Sequence, residues 1–114
     1  LSRVRDVKVI DAHDARAVNS HYCLSVVLGG PLARRRGDIV AALNSRGVGT
    51  SIYYPQPVPR MAYYRKKYGY APASFPHAEK ISDCGIALPV GPHLETGDMA
   101  VVVEEFKSAV KEAS

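Results

Sequence analysis

Tryptophan is missing from these 114 residues, and phenylalanine and cysteine occur twice each. Cys23 and Cys84 stand far apart with no CxxC or CxxH neighbour, which removes a zinc site and a redox motif. Both are read as reduced thiols of a cytoplasmic protein, and Cys23, inside an apolar run, as a small hydrophobe. No apolar run approaches the roughly 20 residues that a membrane helix needs. The charged N-terminus has no apolar h-region and so is no signal peptide. His13, His21, His77 and His93 form no HxxxH or HExxH arrangement, so no metal site is expected. Gly29-Gly30 and Gly47-x-Gly49 lack the frames of a dinucleotide or phosphate loop. A nucleophile beside a base, or paired carboxylates at a convincing spacing, is also missing, so no residue is assigned a catalytic role.

What is present suits one soluble domain: 46% apolar and 23% charged residues, with a core that is modest but adequate. The net charge of +4 and pI of about 9.2 raise the question of nucleic acid. The positive charge lies in two short clusters, Arg34-Arg35-Arg36 and Arg65-Lys66-Lys67, without any nucleic-acid-binding signature, and reads as solvated surface. The chain opens on Leu1 rather than Met, and a piece of a longer protein is the favoured explanation.

Taken in order, residues 1–6 read as the frayed end of a helix entering the domain, and Val7 to Ile10 as a strand. Asp11 to Ser20 is polar loop. His21 to Leu28 is the best strand, apolar enough to be central and covered by helices, and Gly29-Gly30-Pro31 stops it. A helix is predicted from Arg36 or Asp38 to Arg46, with Ile39, Val40 and Leu43 on one face and Gly47 as its left-handed cap. Val48 to Tyr53 reads as the next strand. Pro55, Pro57 and Pro59 then hold the chain extended, because proline fixes φ and removes alternate donors. Short helices are predicted at 61–68 and 76–84, the second with Ser74 as N-cap, Pro76 in its first turn and Ile81 inward. Gly85 to Pro89 is a short strand. Thr96 caps the last helix, whose stripe of Met99, Val102, Val103, Phe106 and Val110 faces the core while Glu104, Glu105, Lys107, Lys111 and Glu112 face water. The fold class is α+β: a small two-layer sandwich, a short mainly antiparallel sheet covered by helices.

Six of the seven tyrosines fall between Tyr53 and Tyr70. Tyrosine fits the rim of a small core, which accounts as well as function does for Tyr63, Tyr64 and Tyr68. Tyr53 and Tyr54 stand just before the proline turn, where alternation places one ring on the core and the other in a cleft.

A family pattern runs through the His21-Tyr22 strand opening, Arg36-Gly37-Asp38, Leu43-Asn44-Ser45-Arg46-Gly47-Val48-Gly49-Thr50, Tyr53-Tyr54-Pro55-x-Pro57 and Tyr63. Tyr68-Gly69-Tyr70, Phe75-Pro76-His77-Ala78-Glu79 and Ala87-Leu88-Pro89-Val90-Gly91-Pro92-His93-Leu94 continue it. In this order they resemble the C-terminal small domain of the DegT/StrS-type sugar aminotransferases, pyridoxal-phosphate (PLP) enzymes of the aspartate-aminotransferase fold that aminate nucleotide-linked keto-sugars. The resemblance implies that residues 1–6 end an interdomain helix or linker and that 7–114 are the small domain of a longer enzyme. That enzyme would be a homodimer acting on a nucleotide-sugar with an amino-acid donor, without nucleic acid or membrane.

The family's Schiff-base lysine, its acidic partner of the pyridine nitrogen and its stacking ring lie in the large domain, so this chain alone is expected to bind no cofactor and to be inactive. The alternative is a stand-alone, non-catalytic binding module of similar fold, and the parent could also be a dehydratase-like relative. Substrate contact in the family maps to Tyr53, where many members have histidine, and a second such histidine aligns with Pro59. These departures imply a subgroup with different sugar recognition. Tyr54 and Arg60 complete the expected substrate-binding set. Arg60, Arg65 and Lys66 are candidates for a diphosphate, with a solvated helix face as the favoured alternative. A domain separated from its partner should also leave an apolar face open around the proline ladder and residues 61–70.

Overall fold

The computed structural model describes residues 1–10 and 15–114. Three short strands, β1 (Val7–Val9), β2 (Leu24–Leu28) and β3 (Gly85–Leu88), form an antiparallel sheet in the order β1-β2-β3. The register pairs Val9 with Val26 and Val26 in turn with Ile86. The apolar run at 24–28 is therefore the central strand, as its composition predicts. Four helices accompany the sheet: α1 (Arg36–Ser45), α2 (Ala62–Tyr68), α3 (Pro76–Cys84) and α4 (Thr96–Ala113). Two 3-10 turns, Gly30–Arg35 and Val58–Arg60, lead into α1 and towards α2.

Because side chains alternate along a strand, Val26 and Leu28 share a face with Ile86 and Leu88. Against that face lie Ile39 and Leu43 of α1 and Val102 and Phe106 of α4, all buried in one cluster. Val27 and Ala87, on the opposite face, are buried as well. Helix α4 supplies Val102, Phe106, Ala109 and Val110 to the interior, with Met99 and Val103 half-buried. Polar bonds tie α1 to α4: Arg46, just past the end of α1, pairs with Glu105 at 3.2 Å and also reaches Glu112. Glu105 is thus half-buried in an ion pair rather than turned to water.

Several sequence expectations are corrected. Residues 2–6 form turns instead of a helix end, and Leu1 and Val4 touch the core. His21 takes a left-handed φ of 52°, which interrupts the extended chain, so β2 begins at Leu24 instead of His21. The predicted strand at 48–53 reduces to one bridge, Ser51 with Ala87. The prolines just beyond have no N–H to extend that ladder. The extended proline segment itself tightens into a 3-10 turn at Val58. Helix α3 is preceded by Phe75 as its N-cap residue, while the Ser74 hydroxyl donates to the Ala71 carbonyl. The inward line of α3 runs through Ala78 and Ser82, four residues apart, and leaves Ile81 42% exposed. For α4 the cap is Glu95 rather than Thr96, since the Glu95 N–H donates to the Asp98 carboxylate three residues on at 2.8 Å. Expectations about Asp11 to Asp14, including His13, lie outside the described residues.

Candidate functional site

The site is built where α1 ends. Gly47 adopts φ 79°, and the N–H groups of Arg46, Gly47 and Val48 return to the carbonyls of Leu43 and Asn44. A residue with a Cβ resists that left-handed turn, which is why glycine closes this helix. Val48 is buried, so the chain leaves the turn anchored to the core. Two backbone hydrogen bonds of 3.0 and 2.8 Å then join Ser51 to Ala87 on β3.

Past that bridge the chain leaves the sheet and carries Tyr53 and Tyr54 outward. Their rings stand 5.8 Å apart, tilted by 54°, and they are 49% and 70% exposed. Alternation across a strand had predicted opposite faces with one ring in the core. It fails because no ladder continues past Ser51, so the two rings form one exposed pair. Tyr53 borders a groove of about 650 Å³ floored by Leu88 and Val102, with Tyr22 and Thr50 among its other walls. Tyr54 is not part of that wall.

Tyr22 is the residue that sequence reasoning missed. It was absorbed into a long apolar strand, yet it precedes β2, is 82% exposed and shares the groove with Tyr53. Its signal in the sequence is the His21-Tyr22 strand opening, which belongs to the family pattern without being assigned to the site.

Arg60 is placed differently from the two tyrosines. Its guanidinium makes a forked contact with Asp83, 2.7 and 2.9 Å, and lies 3.6 Å from Glu79. The hydrogen bonds from Arg60 hold the Asp83 carboxyl below the usual carboxylate range against the opposing effect of burial, and Asp83 in turn raises the affinity of Arg60 for its proton. Arg60 borders a smaller pocket of about 190 Å³ with Arg65, Tyr70 and Phe75, separate from the groove beside Tyr53. The structure therefore joins Tyr53 to Tyr54 but not to Arg60.

Around α2 the aromatic rings form a chain of contacts. Tyr63 and Tyr64 meet edge to face at 5.1 Å, Tyr68 stacks on Tyr70 at 5.5 Å, and Tyr70 meets Phe75 at 5.0 Å. Lys67 sits over the Tyr63 and Tyr68 rings. In the other basic cluster, Arg35 pairs with Asp38 at 3.0 Å and Arg36 donates to the Ser82 carbonyl at 2.6 Å. Both clusters are thus partly engaged within the fold.

A Schiff-base lysine needs desolvation or a crowding charge to become nucleophilic at neutral pH. All six lysines of this chain are exposed. Among the described residues no group of three or more His, Cys, Asp or Glu could hold a metal ion, and no helix is long and apolar enough to cross a membrane.

Comparison with known proteins fits this layout. An aminotransferase, TlmJ, from Streptoalloteichus hindustanus superposes with a TM-score of 0.81 at 24% identity, covering 100% of this chain and 29% of that one. The sugar aminotransferase Spr1654 of Streptococcus pneumoniae, in its PMP form, superposes with a TM-score of 0.80 at 21% identity, covering 99% and 28%. In sequence, the dTDP-3-amino-3,4,6-trideoxy-alpha-D-glucose transaminase of Streptomyces venezuelae is 36% identical over 75 residues, 64% of this chain and 19% of the relative. The chain spans about a fifth of the length of the curated relatives it matches. The family model matches residues 1–107, and the chain belongs to the DegT/DnrJ/EryC1/StrS aminotransferase family.

Proposed function

We propose that this chain is the C-terminal small domain of a PLP-dependent aminotransferase that aminates a nucleotide-linked keto-sugar, and that it is inactive by itself. The observation that carries the reading is the coverage: the whole chain superposes on under a third of an aminotransferase. Within such an enzyme, residues 1–6 join the large domain and 7–114 form the small one. PLP supplies the electron sink for amino transfer when bound, and the large domain holds it, since the lysines here are all exposed. The contribution of this chain is a wall. Tyr53 and Tyr54 offer phenolic hydroxyls to the sugar-nucleotide, each able to donate and accept. The groove beside Tyr53 gives the wall its shape. An amino-acid donor and a homodimeric, cytoplasmic parent complete the proposal.

The test is to incubate the 114-residue chain with PLP, reduce with borohydride and weigh the product by mass spectrometry. The expected result is no stoichiometric phosphopyridoxyl adduct and no turnover of a dTDP-keto-sugar with glutamate. The same chain joined to a large domain bearing a Schiff-base lysine is expected to show both. A stoichiometric adduct on one lysine of the isolated chain would overturn the reading. A gene that encodes no large domain in frame would instead favour a stand-alone binding module.

A further inference from the structure

The segment between Ser51 and Arg60 is closed at both ends on one continuous unit. Its first anchor is the pair of backbone bonds from Ser51 to Ala87 on β3. Its second is the fork from Arg60 to Asp83, backed by Glu79, and both carboxylates belong to α3. Helix α3 runs into β3 with no loop between Cys84 and Gly85, so Asp83 and Ala87 move as one body. Between the anchors stand Tyr53, Tyr54 and three prolines, whose fixed φ leaves few backbone torsions free. Pro57 is buried, and Arg60 N–H and Met61 N–H close on the carbonyls of Pro57 and Val58 at 2.9 and 3.1 Å.

We infer that Arg60 is a positioning residue: its ion clasp on α3 holds the Tyr53-Tyr54 lip in one orientation, rather than contacting substrate. The use of that lip rests on the aminotransferase reading above, but the clasp itself does not. An arginine already satisfied by two carboxylates has little capacity left for a diphosphate. Its planar fork matches a carboxylate in a way that a lysine cannot reproduce. Removing the fork frees the outer end of the loop while the Ser51 bridge keeps the inner end in place.

Amide hydrogen exchange and tyrosine ring proton shifts on this chain test the clasp without any substrate. In Arg60→Asp, exchange at Arg60 and Met61 is expected to quicken roughly tenfold, with the Phe106 and Val110 amides of α4 as an unmoved control. The Tyr53 and Tyr54 ring shifts, set by their mutual proximity, are expected to move towards averaged values. The double variant Arg60→Asp with Asp83→Arg restores the pair with reversed charge. It should return exchange to within roughly threefold of the unaltered chain, and Arg60→Lys should recover it only in part. Asp83→Asn, a milder change, should quicken the same amides if Arg60→Asp proves too disruptive.

Unprotected Arg60 and Met61 amides in the unaltered chain would sink the inference, as would a double variant no better than Arg60→Asp alone. Equal loosening of α4 in both single variants would make Arg60 a general stabiliser and would also defeat it. Because no ligand enters, these outcomes leave the aminotransferase reading to its own test.

Discussion

Arg60, expected among the substrate contacts, forks onto Asp83 and lies beside Glu79. The pH dependence follows from the depressed carboxyl of Asp83. A carboxyl whose folded pKa lies below its unfolded value stabilises the fold above the unfolded pKa, and loses that contribution as pH falls through the folded one. The charged neighbours that set it are Arg60 and, at longer range, Arg36, with Glu79 sharing Arg60. Urea melts of the chain and of Asp83→Asn should therefore differ near neutrality, with the variant less stable, and converge in acid below the usual carboxylate range. Gly85 makes a second prediction about one residue. A Cβ there would stand 2.4 Å from the Ile81 carbonyl oxygen, whereas one at Gly97 meets nothing within 4 Å. Gly85→Ala is expected to cost about 1–3 kcal/mol in chemical denaturation. Gly97→Ala should change stability by under about 1 kcal/mol and in the stabilising direction.

Helix α4 kept its predicted core stripe because the pattern is long, although its cap moved to Glu95 and Glu105 turned to an ion pair with Arg46. A stripe repeated over five turns averages out errors that a three-residue strand cannot. Phe106 is wholly buried beneath the sheet and Val101, five residues earlier, is exposed. Phe106→Ala should lose about 3–5 kcal/mol through the lost transfer energy and the cavity left behind. Val101→Ala should stay within about 0.5 kcal/mol, and a fluorescence- or dichroism-monitored denaturation curve distinguishes them. Helix α3 was legible in extent but not in facing. Over nine residues a stripe has only two or three members, so assigning Ile81 inward instead of Ser82 turned on one position. The segment at 48–53 was β-branched enough to suggest a strand, but a strand also needs a partner edge. Only Ser51 finds one.

In the whole molecule, shape and surface point the same way. The radius of gyration is 15.5 Å, against about 13 Å for a compact domain of this length, and the extents are 48 × 36 × 23 Å. The surface over residues 53–75 exposes Tyr54, Val58, Met61, Tyr63, Tyr68 and Phe75, an apolar and aromatic concentration in the region where the sequence led us to expect an open face. Surfaces of that kind seek cover. Sedimentation equilibrium of the isolated chain is expected to show concentration-dependent self-association, weakened by Tyr63→Ser with Tyr68→Ser. A strictly monomeric chain at high concentration would contradict it.

The four helices, the three strands of the sheet and the family were legible in the chain itself, because periodicity, glycine and proline positions and an ordered set of short motifs are local properties. The central place of β2, the left-handed close at Gly47 and the α4 stripe all follow from residues near in sequence. Only the tertiary structure decided what depends on distant partners: that Tyr22 joins Tyr53 at one groove, that Tyr53 and Tyr54 share an exposed face, and that Arg60 is held by α3. The physical reason is that a side chain's partner is chosen by where the sheet edge and the helices bring the backbone, and no spacing rule carries a pairing across 23 residues between Arg60 and Asp83.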